Sequence, residues 1–184
     1  LDNFEYIFKM PNTGQILYNT VSISLMKMLF GLIVPIVFAV LLDLVKHSGY
    51  KRSIQTLIYI PYFLSWIVLS GILIDILSPS TGIVNQILGF FGIEPIFFLG
   101  NEKLFPGVLI VSDVWKGFGY GTVVYLAAIT SIDMELYDAA KIDGANRMKQ
   151  VRYVTLPGIM PIIVLMATLS LGNILNAGFD QILN

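Results

Sequence analysis

Cysteine is absent from the 184 residues, and histidine occurs once, at His47. Disulfides, thiol nucleophiles and thiolate metal sites are thereby excluded, and a histidine-built metal centre has too few ligands. Charge is also scarce. Asp, Glu, Lys and Arg make up 12% of the chain, against roughly 25% in soluble domains. The net charge of −1 gives no bias toward nucleic acid or acidic ligands. No Gly-x-x-x-x-Gly-Lys-Ser/Thr run is present, so the chain carries no loop for gripping nucleotide phosphates. What fills the space left by these absences is apolar: 56% of residues are hydrophobic and the mean hydropathy is +0.79. Long apolar runs with so little charge point to a bilayer.

Four stretches are long enough for a helix to cross a hydrocarbon core of about 30 Å: about 17–45, 54–77, 106–130 and 158–179. Helix is the expected state, since lone strands would leave backbone groups unpaired in lipid. The strict alternation of a membrane barrel is missing. Lys46, Lys51 and Arg52 follow the first run, and Lys141, Arg147, Lys149 and Arg152 follow the third. These seven of the 11 basic residues place both connections in the cytoplasm by the positive-inside rule. The N-terminal segment, the 78–105 loop and the C-terminus then face outward. An outward N-terminus without a signal sequence suggests a piece of a longer polypeptide with at least six spans. In the outer loop, Ser78-Pro-Ser-Thr-Gly82 is a turn-rich corner. The amphipathic Ile83–Gly92 after it can lie along the outer membrane surface, or form a partly ordered hairpin.

Between the third and fourth runs sits a polar block, Glu135-Leu-Tyr-Asp-Ala-Ala-Lys-Ile-Asp-Gly-Ala-Asn-Arg-Met-Lys-Gln-Val-Arg-Tyr-Val-Thr-Leu-Pro157. Ser131 and Asp133 can cap a helix whose first turn holds Glu135. Leu136, Ala139, Ala140 and Asp143 share one face, mostly of small residues that let another surface come close. Gly144 stands where a left-handed residue usually ends a helix. A second short helix is expected over 145–156, with Pro157 marking the start of the fourth span or a kink there. Spacing alone leaves two readings open: a docking element, or an interfacial helix that tethers two spans.

The sequence from Glu135 through Asp138-Ala-Ala140 and Asp143-Gly-Ala145 to Pro157 resembles the EAA loop of binding-protein-dependent ABC importer permeases. Asp138 replaces the usual Glu, and Val151 stands where an aromatic is common. Asn19-Thr20, Tyr59-Ile-Pro61, Gly82-Ile-Val-Asn85 and Trp115-Lys-Gly-Phe-Gly119 are similar to segments of the carbohydrate-type permeases. The run Ser170–Asp180 resembles permeases for aldouronates and other complex oligosaccharides. The resemblance implies an all-α, polytopic helical bundle of the type I importer permease kind, with four of six spans present. It implies a multi-pass subunit of a bacterial plasma membrane that is not itself an enzyme. Its partners would be a second permease, two ATPase subunits and an external binding lipoprotein. ATP and Mg would be bound by the ATPase subunits, with no cofactor in this chain and no metal site. The residues Glu135, Asp138, Ala139, Ala140, Asp143, Gly144, Ala145 and Pro157 would couple to the ATPase.

Polar groups inside spans are costly and carry a functional hypothesis by default. Lys27 can snorkel outward along its stem, and Asp75 lies near the outer end of the second run. Asp113 and Lys116 are spaced to pair along one helix face, while Trp115 can stack on a sugar ring or belong to an aromatic belt. Ser170, Asn173 and Asn176 share a face, where amides can bind an uncharged sugar or a neighbouring span. Pro61 reads as an early-helix proline of the second span, or as a kink. An ion-coupled secondary transporter would lean on Asp113 as its carboxylate. A non-transporting scaffold and a permease for a non-sugar solute are further alternatives.

Overall fold

The computed structural model of the chain describes residues 12–45, 47–172, 178, 181 and 182. Among them every regular element is helical: α1 Thr13–Asp43, α2 Ser48–Phe63, α3 Trp66–Leu77, α4 Ile83–Phe90, α5 Phe105–Thr130, α6 Met134–Ile142 and α7 Arg147–Leu171. Of these, α1 and α7 are long and apolar enough to cross a membrane, and α2 with α3 counts as a third crossing if the pair is one broken span. Only 22% of the most apolar stretch of α1, and 11% of that of α7, is buried. Their remaining faces are the ones lipid or other helices would cover. The run at 106–130 forms α5, whose 26 residues reach about 39 Å. With Asp113, Lys116 and four glycines inside it, α5 is not among the helices that composition alone marks as membrane-crossing.

Two of the expected boundaries change. The run expected to cross as one span over 54–77 is interrupted: Leu64 (φ −73, ψ 137) and Ser65 (φ −67, ψ 155) are both extended. Two such residues in succession end a helix. Pro61 therefore lies in the last turn of α2, where the Leu64 amide donates to its carbonyl, and not in the first turns of a span. Ser65 restarts the chain as the N-cap of α3, accepting from the Val68 amide at 3.3 Å. The fourth helix begins at Arg147, well before the expected 158. Its expected end, 173–177 and 179, lies outside the described residues.

The chain divides into two compact units. The first comprises Leu1–Met28, Ser65–Ser112 and Gly172–Asn184. Here α3 packs on α4, and Asn85 organises the connection. The Asn85 amide donates to the carbonyls of Ser78 and Ile96, both at 3.0 Å, and accepts from the Ile96 amide at 2.8 Å. One buried side chain thus ties the turn before α4 to the irregular segment after it. Lys27 is buried in this unit as well, donating to Gln181 Oε1 at 2.5 Å. The Gln181 amide donates in turn to Leu109 O (2.9 Å) and Ser112 Oγ (2.7 Å). Lys27 does not snorkel; its ammonium is held inside by a side chain 154 residues away.

The second unit comprises Leu29–Leu64 and Asp113–Leu171. Its core is Ala39, Tyr125, Leu126, Ile129 and Ile159, drawn from α1, α5 and α7. Close approach of α2 to α5 requires Gly119, because a Cβ there would lie 2.0 Å from Ile58 O. On the same stretch of α5, Lys116 Nζ donates to Tyr62 O at 3.0 Å and also to Leu64 O. Its ammonium lies 5.9 Å from the Tyr62 ring centre, and that ring stacks on Tyr120 at 5.0 Å. A helix end leaves carbonyls without intrahelical donors; here a lysine from another helix supplies them.

Candidate functional site

The polar block folds as its residues dictate, up to one point. Asp133 caps α6, accepting from the Glu135 amide at 2.9 Å, while Ser131 turns back to bond Ala128 O at 2.8 Å. Glu135 lies in the first turn and Lys141 in the last, both signs matching the helix dipole. Lys141 also pairs with Asp138 at 2.8 Å on the exposed side. At the far end Gly144 takes φ +74. Its amide donates to Lys141 O at 3.0 Å, and the Ala145 amide reaches Ala140 O at 2.8 Å. This is the Schellman arrangement, which satisfies two carbonyls that the helix end would otherwise strand. No residue of α6 is buried. The face of Leu136, Ala139, Ala140 and Asp143 is therefore open to a partner.

Beyond Gly144 the structure departs from the expected second short helix. Asn146 caps a new helix through the Lys149 amide at 2.9 Å, and that helix continues without interruption from Arg147 to Leu171. Val151–Thr155 forms a π-turn inside it, where the Leu156 amide reaches back five residues to Val151 O. Pro157 explains the turn. It has no amide to give Tyr153 O, and its ring would crowd that carbonyl in a regular helix. Widening the helix by one residue absorbs the proline without a break. So Pro157 does not open a separate helix; it lies inside one that runs from Arg147 to Leu171.

The two arms meet again at the π-turn, the part of α7 against which α6 packs. Tyr137 Oη and Thr155 Oγ1 are 2.9 Å apart, and Thr155 is buried. A cavity of about 420 Å³ lies beside this contact, lined by residues including Asp43, Ile129, Met134, Lys141, Arg147 and Gln150.

Of the expected substrate-path residues, Trp115 and Ser170 are among those described. Trp115 on α5 is 40% exposed. The Ser170 hydroxyl is spent on Met166 O, one turn back in its own helix, at 2.8 Å. Asn173 and Asn176 lie outside the described residues. A second cavity, of about 160 Å³ in the first unit, is lined by Ser70, Ser112 and Gln181 among apolar side chains.

Residues 31–179 match the family described as binding-protein-dependent transport system inner membrane component. The chain belongs to that family. This inner membrane component is 38% identical over 182 residues to the polygalacturonan/rhamnogalacturonan transport system permease protein YteP of Bacillus subtilis (strain 168), covering 99% of the chain and 57% of YteP. It is 35% identical over 181 residues to protein LplB of the same organism, covering 98% of the chain and 57% of LplB. A solved bacterial alginate ABC transporter, in complex with an alginate pentasaccharide-bound periplasmic protein, superposes with a TM-score of 0.94 at 37% identity. That match covers 99% of the chain and 63% of the solved one. The inner membrane component thus spans a little over half the length of the curated relatives it matches. The matched region contains the whole polar block and both of its arms.

Sequence reasoning found the polar block and its glycine, yet missed Tyr137 and Thr155. They stand 18 residues apart with no helical periodicity between them. It also missed Asn85 and Gln181 as organising amides. Gln181 is a buried polar residue near the end of an apolar run, and that contrast is the signal that could have flagged it.

Proposed function

We propose that the chain is part of the membrane-spanning permease of an ATP-driven importer. It moves an oligosaccharide delivered by an external binding protein, in company with a second permease subunit and two ATPase subunits. The observation carrying this reading is the exposed α6, closed by Gly144 and joined to one long apolar helix. A short helix whose small-residue face is unburied suits docking into a groove of an ATPase. A stiff helix leading from it into the bilayer suits passing on a rigid-body motion. The names of the relatives favour a carbohydrate cargo, since YteP is described by polygalacturonan and rhamnogalacturonan transport and the solved transporter by import of the acidic polysaccharide alginate. ATP and Mg are then the business of the ATPase subunits, and residues 131–157 are the coupling loop on the cytoplasmic side. Glu135, Asp138, Ala139, Ala140, Asp143, Gly144 and Ala145 line the docking element, with Pro157 behind it.

The test is uptake by vesicles holding the full-length protein with its partner subunits and binding protein. Uptake of labelled oligosaccharide follows internal ATP and ignores collapse of ion gradients. Uptake that tracks a proton or sodium gradient without ATP would make the protein a secondary transporter and end this reading.

A further inference from the structure

The chain passes from α6 to α7 through the left-handed Gly144, and Gln150 Nε2 braces that turn by donating to Ala145 O at 3.0 Å. Away from the turn, Tyr137 Oη and Thr155 Oγ1 meet at 2.9 Å. A cavity of about 420 Å³ lies beside this contact, with both residues in its wall, so the packing between the arms is incomplete there. No residue of α6 is buried. Thr155 is only 3% exposed, inside the π-turn and two residues before Pro157. Its hydroxyl also faces Gln150 O at 3.5 Å. The Tyr hydroxyl therefore reaches a fixed point of the long helix and not a flexible surface group.

We infer that the Tyr137–Thr155 hydrogen bond is a positioning contact that holds the short helix at a set angle to the long one. Movement imposed on α6 is then delivered to α7 and not dissipated by swivelling at Gly144. The inference rests on the coupling role proposed for residues 131–157, and deepens it by naming the pair that makes the two arms act as one body. Tyr137 touches neither ATP nor cargo in this account; it acts through Thr155.

The experiment compares the assembled transporter carrying Tyr137→Phe, Thr155→Val or Thr155→Ser with the unaltered complex. Tyr137→Phe and Thr155→Val each remove one hydroxyl and keep most of the shape, while Thr155→Ser keeps the hydroxyl. Three quantities are read: assembled complex per membrane, ATP hydrolysed, and oligosaccharide moved per ATP. Losing one hydrogen bond is worth roughly a threefold to tenfold change in the population of the rigid arrangement. Oligosaccharide moved per ATP is expected to fall by roughly that factor in Tyr137→Phe and Thr155→Val. Hydrolysis and assembly persist, and Thr155→Ser stays near the unaltered value. An unchanged ratio in Tyr137→Phe overturns the inference, as does a parallel loss of hydrolysis and transport, which would mark a merely structural contact. If the unaltered complex moves oligosaccharide without hydrolysing ATP, the coupling role fails first and takes the inference with it.

Discussion

Lys116 and Tyr125 sit nine residues apart on α5 and illustrate opposite uses of a polar group among apolar neighbours. Lys116 gives its hydrogen bonds to Tyr62 O and Leu64 O at the end of α2. The Tyr125 hydroxyl is buried with no hydrogen-bond partner among the described residues. Hydrogen bonds from a charged donor contribute about 1.5–3 kcal/mol, whereas a stranded buried hydroxyl costs about 1–3 kcal/mol. Lys116→Met should therefore lower the unfolding temperature of the purified protein in detergent. Tyr125→Phe should leave it unchanged or raise it. A drop in both would mean that Tyr125 has a partner of its own. At Gly119 even one methyl group has nowhere to go, since it would press on the backbone carbonyl of Ile58. Gly119→Ala should cost about 1–3 kcal/mol, read as the same thermal shift. None of these three roles is written in local sequence. Local spacing offers Asp113 to Lys116, but the carbonyls that Lys116 also serves are more than fifty residues distant and leave no local signal.

Elements show where apolar patterning suffices and where it does not. The ends of α5 and α6 follow from composition and capping residues: Asp133 caps with its carboxylate, and Gly144 takes the positive φ that side chains resist. The interruption between α2 and α3 is hidden, because Tyr59–Leu77 reads as one predominantly apolar run, charged only at Asp75, and Pro61 alone does not tell a kink from a stop. The continuity of α7 is hidden for the opposite reason. A charged stretch ending in proline looks like a boundary, yet a π-turn carries the helix through it. Gly144 is legible, and it makes a prediction at this scale. Gly144→Val puts a β-branched residue at φ +74, where side chains clash with the backbone. Membrane insertion, set by the apolar helices, should be retained while oligosaccharide uptake is lost. Normal uptake by this variant, measured beside its insertion, would remove the docking element from the mechanism.

For the molecule as a whole, membrane character was legible from composition, and membership of the transport family from the motif around Gly144. The polar interior was less so. Lys27, Gln181, Ser112 and the Leu109 carbonyl form one hydrogen-bonded group assembled from three distant parts of the chain. Sequence spacing cannot bring such residues together; only the finished packing does. The same limit applies to the residues expected along a substrate path: Trp115 and Ser170 lie on α5 and α7, and the Ser170 hydroxyl bonds within its own helix.

The unbroken run from Arg147 to Leu171 has a mechanical consequence. Twenty-five residues at about 1.5 Å each make a rod roughly 38 Å long. Pivoted near Gly144, a tilt of about 10° would sweep its distant tip sideways by roughly 6–7 Å, from simple trigonometry on that length. Amplification of this sort needs no large rearrangement at the driven end, only a helix that holds its line past the π-turn and past Pro157 and Pro161, both of which lie inside it.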